Sequence, residues 1–160
     1  MADPASDDSV EAAFPTRFSG PGTSPGFLLW QATNAWQRRI RAVLEPLEVT
    51  HVQFVLLASL GWMGRQGEAP TQADLARLAR TDVMMTSQVL RALEARALVT
   101  RTPAPHDARA RLLALTDAGR DLVARALPLV EAADVAYFAA AGVDAADAVA
   151  MLGPLARAAG

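Results

Sequence analysis

The sequence contains no cysteine and no lysine, and only two histidines and one tyrosine, in 160 residues. Without cysteine there are no disulfides, no thiolate nucleophile and no thiol-based redox sensing. His51 and His106 lie far apart in the chain, which leaves few candidates for a catalytic dyad or a metal site. No H-E-x-x-H motif and no glycine-rich phosphate loop occur. The expectation is a protein that is not an enzyme and has neither a cofactor nor a metal. No apolar run reaches about 18 residues, so no membrane span is expected. The N-terminus opens acidic, with Asp3, Asp7, Asp8 and Glu11, and lacks the basic-then-apolar pattern of a signal peptide. A cytoplasmic location is expected.

What is present suits a globular domain. Apolar residues make up 52% of the chain and charged residues 20%, so it is not a disordered composition. The net charge of −2 argues at first against nucleic acid, but its distribution does not. Between Thr71 and Thr116 seven arginines stand against four carboxylates, while both flanking segments are net acidic. That all 15 basic residues are arginine fits phosphate and base-edge recognition. A GC-rich coding bias explains it more simply, so only the asymmetry carries weight.

Residues 1–26 hold Pro4, Pro15, Pro21 and Pro25 among glycines and have no apolar period, which predicts a flexible arm. Phe14 and Phe18 are its candidate anchors to a surface. Helical spacing of Trp36, Ile40, Val43, Leu44 and Leu47 predicts a helix from about Phe27 to Glu45, stopped by Pro46. A second helix follows Thr50 as N-cap and ends at Gly64 to Gly67.

Thr71 to Asp74 has the form of a capping box with Asp in place of Glu, opening a short helix through Leu75, Leu78 and Ala79. After the break at Thr81, Asp82 caps a further helix to about Arg96. Val83, Thr86, Val89, Leu90 and Leu93 fall on one face of it; Met84, Ser87, Gln88 and Arg91 fall on the other. Two short helices around a tight turn form a helix-turn-helix. Two β-type runs follow, 98–102 and 111–115, around a tip at Pro103 to Ala110 whose prolines cannot join a ladder. Thr116 then caps a long helix towards Tyr137 and Phe138, which Pro128 would kink. A last helix starts near Asp144. The predicted fold is mainly α, a winged helix-turn-helix with a two-stranded β-wing. The order of elements lacks the strand–helix alternation of a doubly wound enzyme.

Reading DNA in the major groove requires side chains that donate to and accept from base edges. Ser87 and Gln88 do both, and Arg91 adds a forked donor, with Gln88 suited to adenine and Arg91 to guanine or phosphate. Thr71 and Gln72, at a helix N-terminus, can offer backbone amides to phosphate. Arg77, Arg80 and Arg101 are further phosphate candidates. Met85 reads as a packing residue, while Met84 is open between packing and contact with thymine methyls.

Three stretches carry a family resemblance: Leu47 to Phe54, Leu93 to Val99, and His106 to Thr116 with its Asp-x-Arg element at 107–109. In this register the chain resembles the MarR (multiple antibiotic resistance regulator) family of winged-helix transcriptional regulators over roughly residues 27 to 140. The resemblance implies a sequence-specific DNA-binding regulator, a ligand-responsive repressor binding a pseudo-palindromic operator as a homodimer. It divides the chain into a first dimerisation helix at 27–48, the DNA-binding region at 49–116 and C-terminal dimerisation helices at 117–160. It also implies that Arg109 enters the minor groove, where narrow A·T-rich tracts concentrate negative potential. Asp107 can buttress its guanidinium. Two positions depart from the family. Ala97 stands where glycine is usual, so a left-handed cap there would be strained. Thr86 replaces a buried aliphatic, so its hydroxyl needs a local partner such as a carbonyl one turn back.

A small reader covers one half-site, which also points to two-fold symmetry, unless the outer helices merely complete a monomeric core. The resemblance further implies a small aromatic or phenolic effector in a cleft beside the dimer helices. Trp30, Trp36, His51, Phe54 and Trp62 are the candidate lining, although aromatics at helical spacing ordinarily mean core packing. The competing function is a winged helix that pairs with a protein partner instead of DNA.

Overall fold

The computed structural model describes residues 15–67, 69–104 and 107–158, and at 107–109 the backbone alone. The chain falls into two compact units, Met1–Ala35 and Trp36–Gly160. Among the described residues of the first, a 3-10 turn at Pro21–Thr23 precedes helix α1, Pro25–Leu44. The helix therefore starts two residues before its expected start at Phe27. Pro25 suits this position, since the missing N–H of a first-turn residue costs no helical bond. Phe14 lies outside the described residues.

In the second unit α1 ends in the 3-10 turn Glu45–Leu47, and α2 follows at His51–Gly64. Thr50 caps α2 through a reciprocal box with Gln53. Helices α3 (Gln72–Ala79) and α4 (Val83–Ala95) form the helix-turn-helix. Strands β1 (Val99–Ala104) and β2 (Asp107–Leu115) form the antiparallel wing. Helix α5 (Asp117–Ala139) runs through Pro128, and α6 (Ala145–Ala158) closes the chain. Leu44, Leu56, Leu57, Leu60, Leu75, Leu90, Leu93 and Leu113 are buried together, so α1, α2, α3, α4 and the wing share one core. Among the described residues no single helix is long and apolar enough to cross a membrane.

The wing corrects the expected long tip. Pairing continues outward through Thr102↔Leu112 and Pro103↔Arg111, so Pro103 lies inside the ladder. In a two-stranded antiparallel ribbon alternate backbone N–H groups point away from the partner, so a proline need not cost a rung. Beyond Pro103 the register slips and Ala104 pairs with Asp107. Residues 108–110 of β2 therefore stand opposite a single step of β1, a bulge that holds Arg109. A short third rung joins the wing to the segment before α3: Thr71 bridges Leu112, and Leu113 N–H donates to the Pro70 carbonyl at 2.9 Å.

The α4–wing junction takes the strained form. Ala97 has φ 55°, with its N–H donating to the Glu94 carbonyl and the Leu98 N–H to the Leu93 carbonyl. This is a left-handed helix cap built without glycine. The Thr116 hydroxyl donates to the Ala97 carbonyl at 2.7 Å and accepts from the Gly119 N–H. Gly119 lies against the same junction, where a Cβ would meet the Leu98 carbonyl oxygen at 2.1 Å.

Candidate nucleic-acid interface

Capping side chains set the start of both helices of the motif. The Thr71 hydroxyl donates to Asp74 Oδ2 at 2.6 Å and accepts from the Asp74 N–H, while Asp74 Oδ2 also accepts from the Thr71 N–H. These bonds, the hydroxyl's first, hold the Asp74 carboxyl below its ordinary value. Arg80 turns the chain in a left-handed conformation, φ 50°. Asp82 then caps α4 by accepting from the Met85 N–H at 2.9 Å. Thr86 is fully buried, and its hydroxyl donates to the Asp82 carbonyl and lies 2.7 Å from the Thr81 hydroxyl. The local partner that its burial requires is thus present.

The outer face of α4 presents Met84, Gln88 and Arg91 to solvent, with Ser87 half-buried beside them. Met84 is 74% exposed. Val83, expected on the inner face, is 56% exposed. The buried stripe begins only at Thr86 and continues through Leu90 and Leu93, leaving the first turn ahead of the core contacts. Met85 is the least exposed of the three first-turn residues.

Thr71 and Gln72 are positioned differently from the α4 residues. The Thr71 hydroxyl is engaged in its own cap. Gln72 reaches the Val83 carbonyl through Nε2 at 3.5 Å and accepts from Arg101 Nη2 at 3.4 Å. Whatever phosphate contact this end of α3 makes falls to its backbone amides. Arg101, expected among the phosphate candidates, turns inward. Its side chain is 17% exposed, Nη1 lies 3.6 Å from Glu94 Oε2, and Nε is buried with no hydrogen-bond partner among the described residues. It braces β1 against α3 and α4, a role that sequence reading missed because Gln72 is remote in the chain and Glu94 is met only across the helix–strand junction. Arg77 is exposed and pairs with Asp74 at 3.0 Å. Arg80, Arg91 and Arg111 are also exposed. The backbone of Asp107 and Arg109 runs in β2; their side chains, and all of His106, lie outside the described residues.

Of the five aromatic-pocket candidates, the structure brings two together. Trp36 and His51 meet edge to face at 5.0 Å, and Trp36 Nε1 donates to Asp134 Oδ1 at 2.7 Å. Burial holds the His51 imidazole below its ordinary value, Asp134 opposes this, and Arg41 adds to it. Phe54 is in the core, and Trp62 is exposed about two turns further along α2. Trp30 belongs to the first unit, exposed and stacked near Phe27. A shallow groove of about 340 Å3 between Leu60, Gly61, Arg65, Leu113 and Arg120 contains none of the five. Among the described residues no group of three potential ligands could hold a metal ion.

These features agree with the comparisons. The model of the MarR family matches residues 49–110, from the start of α2 into the wing. The HTH-type transcriptional regulator YdcH of Bacillus subtilis is 51% identical over 126 residues, 79% of this chain and 86% of that protein. The HTH-type transcriptional repressor Rv2887 of Mycobacterium tuberculosis is 33% identical over 114 residues, 71% and 79% of the two chains. The fold superposes on BpsR of Bordetella bronchiseptica with a TM-score of 0.75 and 27% identity, covering 91% of this chain and 98% of that one. That structure concerns the regulation of BpsR DNA binding by 6-hydroxynicotinic acid. A helix-turn-helix with an exposed polar and cationic second helix, joined to an arginine-bearing wing, is thus matched by family and fold alike: the chain belongs to the MarR family of transcriptional regulators.

Proposed function

We propose that the chain is a homodimeric repressor that reads a pseudo-palindromic DNA operator and responds to a small aromatic effector. The observation that carries this reading is the division of α4. Thr86, Leu90 and Leu93 are buried, whereas Met84, Gln88 and Arg91 project outward. In this reading Gln88 and Ser87 contact base edges, Arg91 reads guanine or phosphate, and Arg109 reaches the minor groove from its bulge with Asp107 as buttress. Of Thr71 and Gln72, the backbone N–H of Gln72 is the one that anchors phosphate, because that of Thr71 already donates to Asp74 Oδ2.

Residues 49–116 form the reading head and the outer helices form the dimer. Val135 on α5 and Val149, Met151 and Leu155 on α6 are exposed apolar side chains of the kind a partner subunit covers. Repression is supported by the name of the Mycobacterium tuberculosis relative. The effector reading is supported by the aromatic acid that regulates BpsR, and the paired Trp36 and His51 are its candidate contacts. The positive balance of the reading head favours DNA over a protein partner.

Footprinting the full-length protein on its own upstream intergenic DNA tests the reading. Two protected half-sites with centres about one helical turn apart, or a multiple of that, are expected. No protection, or a single half-site, would count against a dimeric reader.

A further inference from the structure

Methionine and valine are unusual groups to find exposed at the start of a helix that faces nucleic acid. Val83 and Met84 are 56% and 74% exposed on the first turn of α4. Neither side chain carries a conventional hydrogen-bond donor, so neither can hold a phosphate. The helix N-terminus beneath them is already occupied, because Asp82 Oδ1 accepts from the Met85 N–H. Its negative charge further disfavours a backbone phosphate at this corner. The buried stripe begins only at Thr86, so the first-turn pair is not needed to seal the core.

Met84 is also in line with the polar readers. Met84, Gln88 and Arg91 stand at i, i+4 and i+7, which places them along one stripe of the outer face. Their axial offsets from Met84 are about 6 and 10 Å, enough for successive side chains to meet different base pairs of one groove. Among the base-edge groups of the major groove, the apolar one is the C5-methyl of thymine. A thioether on a flexible stem adapts to such a group, and Val83 can flank it.

We infer that Met84 is a specificity-determining residue that reads a thymine methyl in each half-site, next to the bases contacted by Gln88 and Arg91. This rests on the reading of α4 as the DNA-contacting helix. It adds a hydrophobic letter to the site: at one thymine per half-site, the methyl group itself is recognised.

Replacing thymine by deoxyuridine removes only that methyl and leaves the pairing edges unchanged. The experiment scans the upstream operator one thymine at a time with deoxyuridine, against the full-length wild-type protein, Met84→Ala and Met84→Leu. Wild-type affinity should fall about fourfold at one thymine per half-site, the worth of one buried carbon at about 0.8 kcal/mol. Met84→Ala should bind the thymine duplex more weakly and be indifferent at that same thymine, while Met84→Leu keeps the discrimination. Because Met84 is exposed, these variants leave the fold intact. Wild-type indifference at every thymine would overturn the inference while leaving salt-dependent operator binding in place. An Ala variant that keeps the wild-type ratio would do the same. Failure of the wild type to bind any duplex would instead overturn the DNA reading and the inference together.

Discussion

The guanidinium of Arg101 on β1 lies 3.6 Å from the carboxylate of Glu94 on α4, and it ties the wing to the helix proposed to read the major groove. Arg101 is largely buried, and its neighbours are Glu94 and the side-chain amide oxygen of Gln72. A guanidinium in this setting is costly when its counter-charge is removed, but not when it is itself replaced by an apolar chain of similar length. Glu94→Ala should therefore lower stability by about 1 kcal/mol or more, while Arg101→Met costs less. Urea unfolding of both variants checks this, and the reverse order would mean that the pair is not what holds Arg101.

Ala97 carries a left-handed backbone that glycine adopts without penalty. For an L-residue this conformation costs roughly 1–2 kcal/mol, and glycine's extra freedom in the unfolded chain offsets part of the relief. Ala97→Gly is expected to raise stability by about 0.5–1 kcal/mol, read as a higher urea midpoint at unchanged slope. A lower midpoint would show that the Ala97 methyl contributes packing that outweighs the strain.

These two sites mark how far the sequence could be read. The caps Thr50, Thr71, Asp82 and Thr116 were legible because each acts on an N–H three residues ahead, inside a local pattern. The faces of α4 followed from helical spacing, except at Val83, whose first-turn position lies ahead of the core. The strain at Ala97 followed from its departure from glycine. The full wing was hidden because Pro103 reads as a ladder breaker, and the Thr71–Leu112 rung because one bridge has no period. Pairs such as Arg101 with Gln72, or Trp36 with Asp134, join residues far apart in the chain and leave no local signal.

His51 makes stability depend on pH. Its folded-state value lies below the ordinary 6.5, chiefly through burial. The unfolded chain therefore takes up a proton first as pH falls. The contribution is fully present above the unfolded value and is lost as pH falls through the lowered folded value. Wild type should lose stability between about pH 7 and pH 5 more steeply than His51→Gln, followed by denaturant melts across that range. Parallel profiles would remove His51 as the source.

Arg109 is the proposed minor-groove contact. Arg109→Ala is expected to weaken operator binding by about 1–3 kcal/mol without changing the melting midpoint. Salt-matched titrations of variant and wild type check this, and equal affinity would remove Arg109 from the interface.

The central claim is sequence-specific DNA binding, and fluorescence anisotropy tests it most directly. The full-length protein is titrated on its own upstream intergenic duplex and on a scrambled duplex at several salt concentrations. The account predicts nanomolar binding that falls steeply with salt and exceeds the scramble by about a thousandfold. No binding to either duplex even at low salt would contradict it, and would assign the exposed face of α4 to a protein partner.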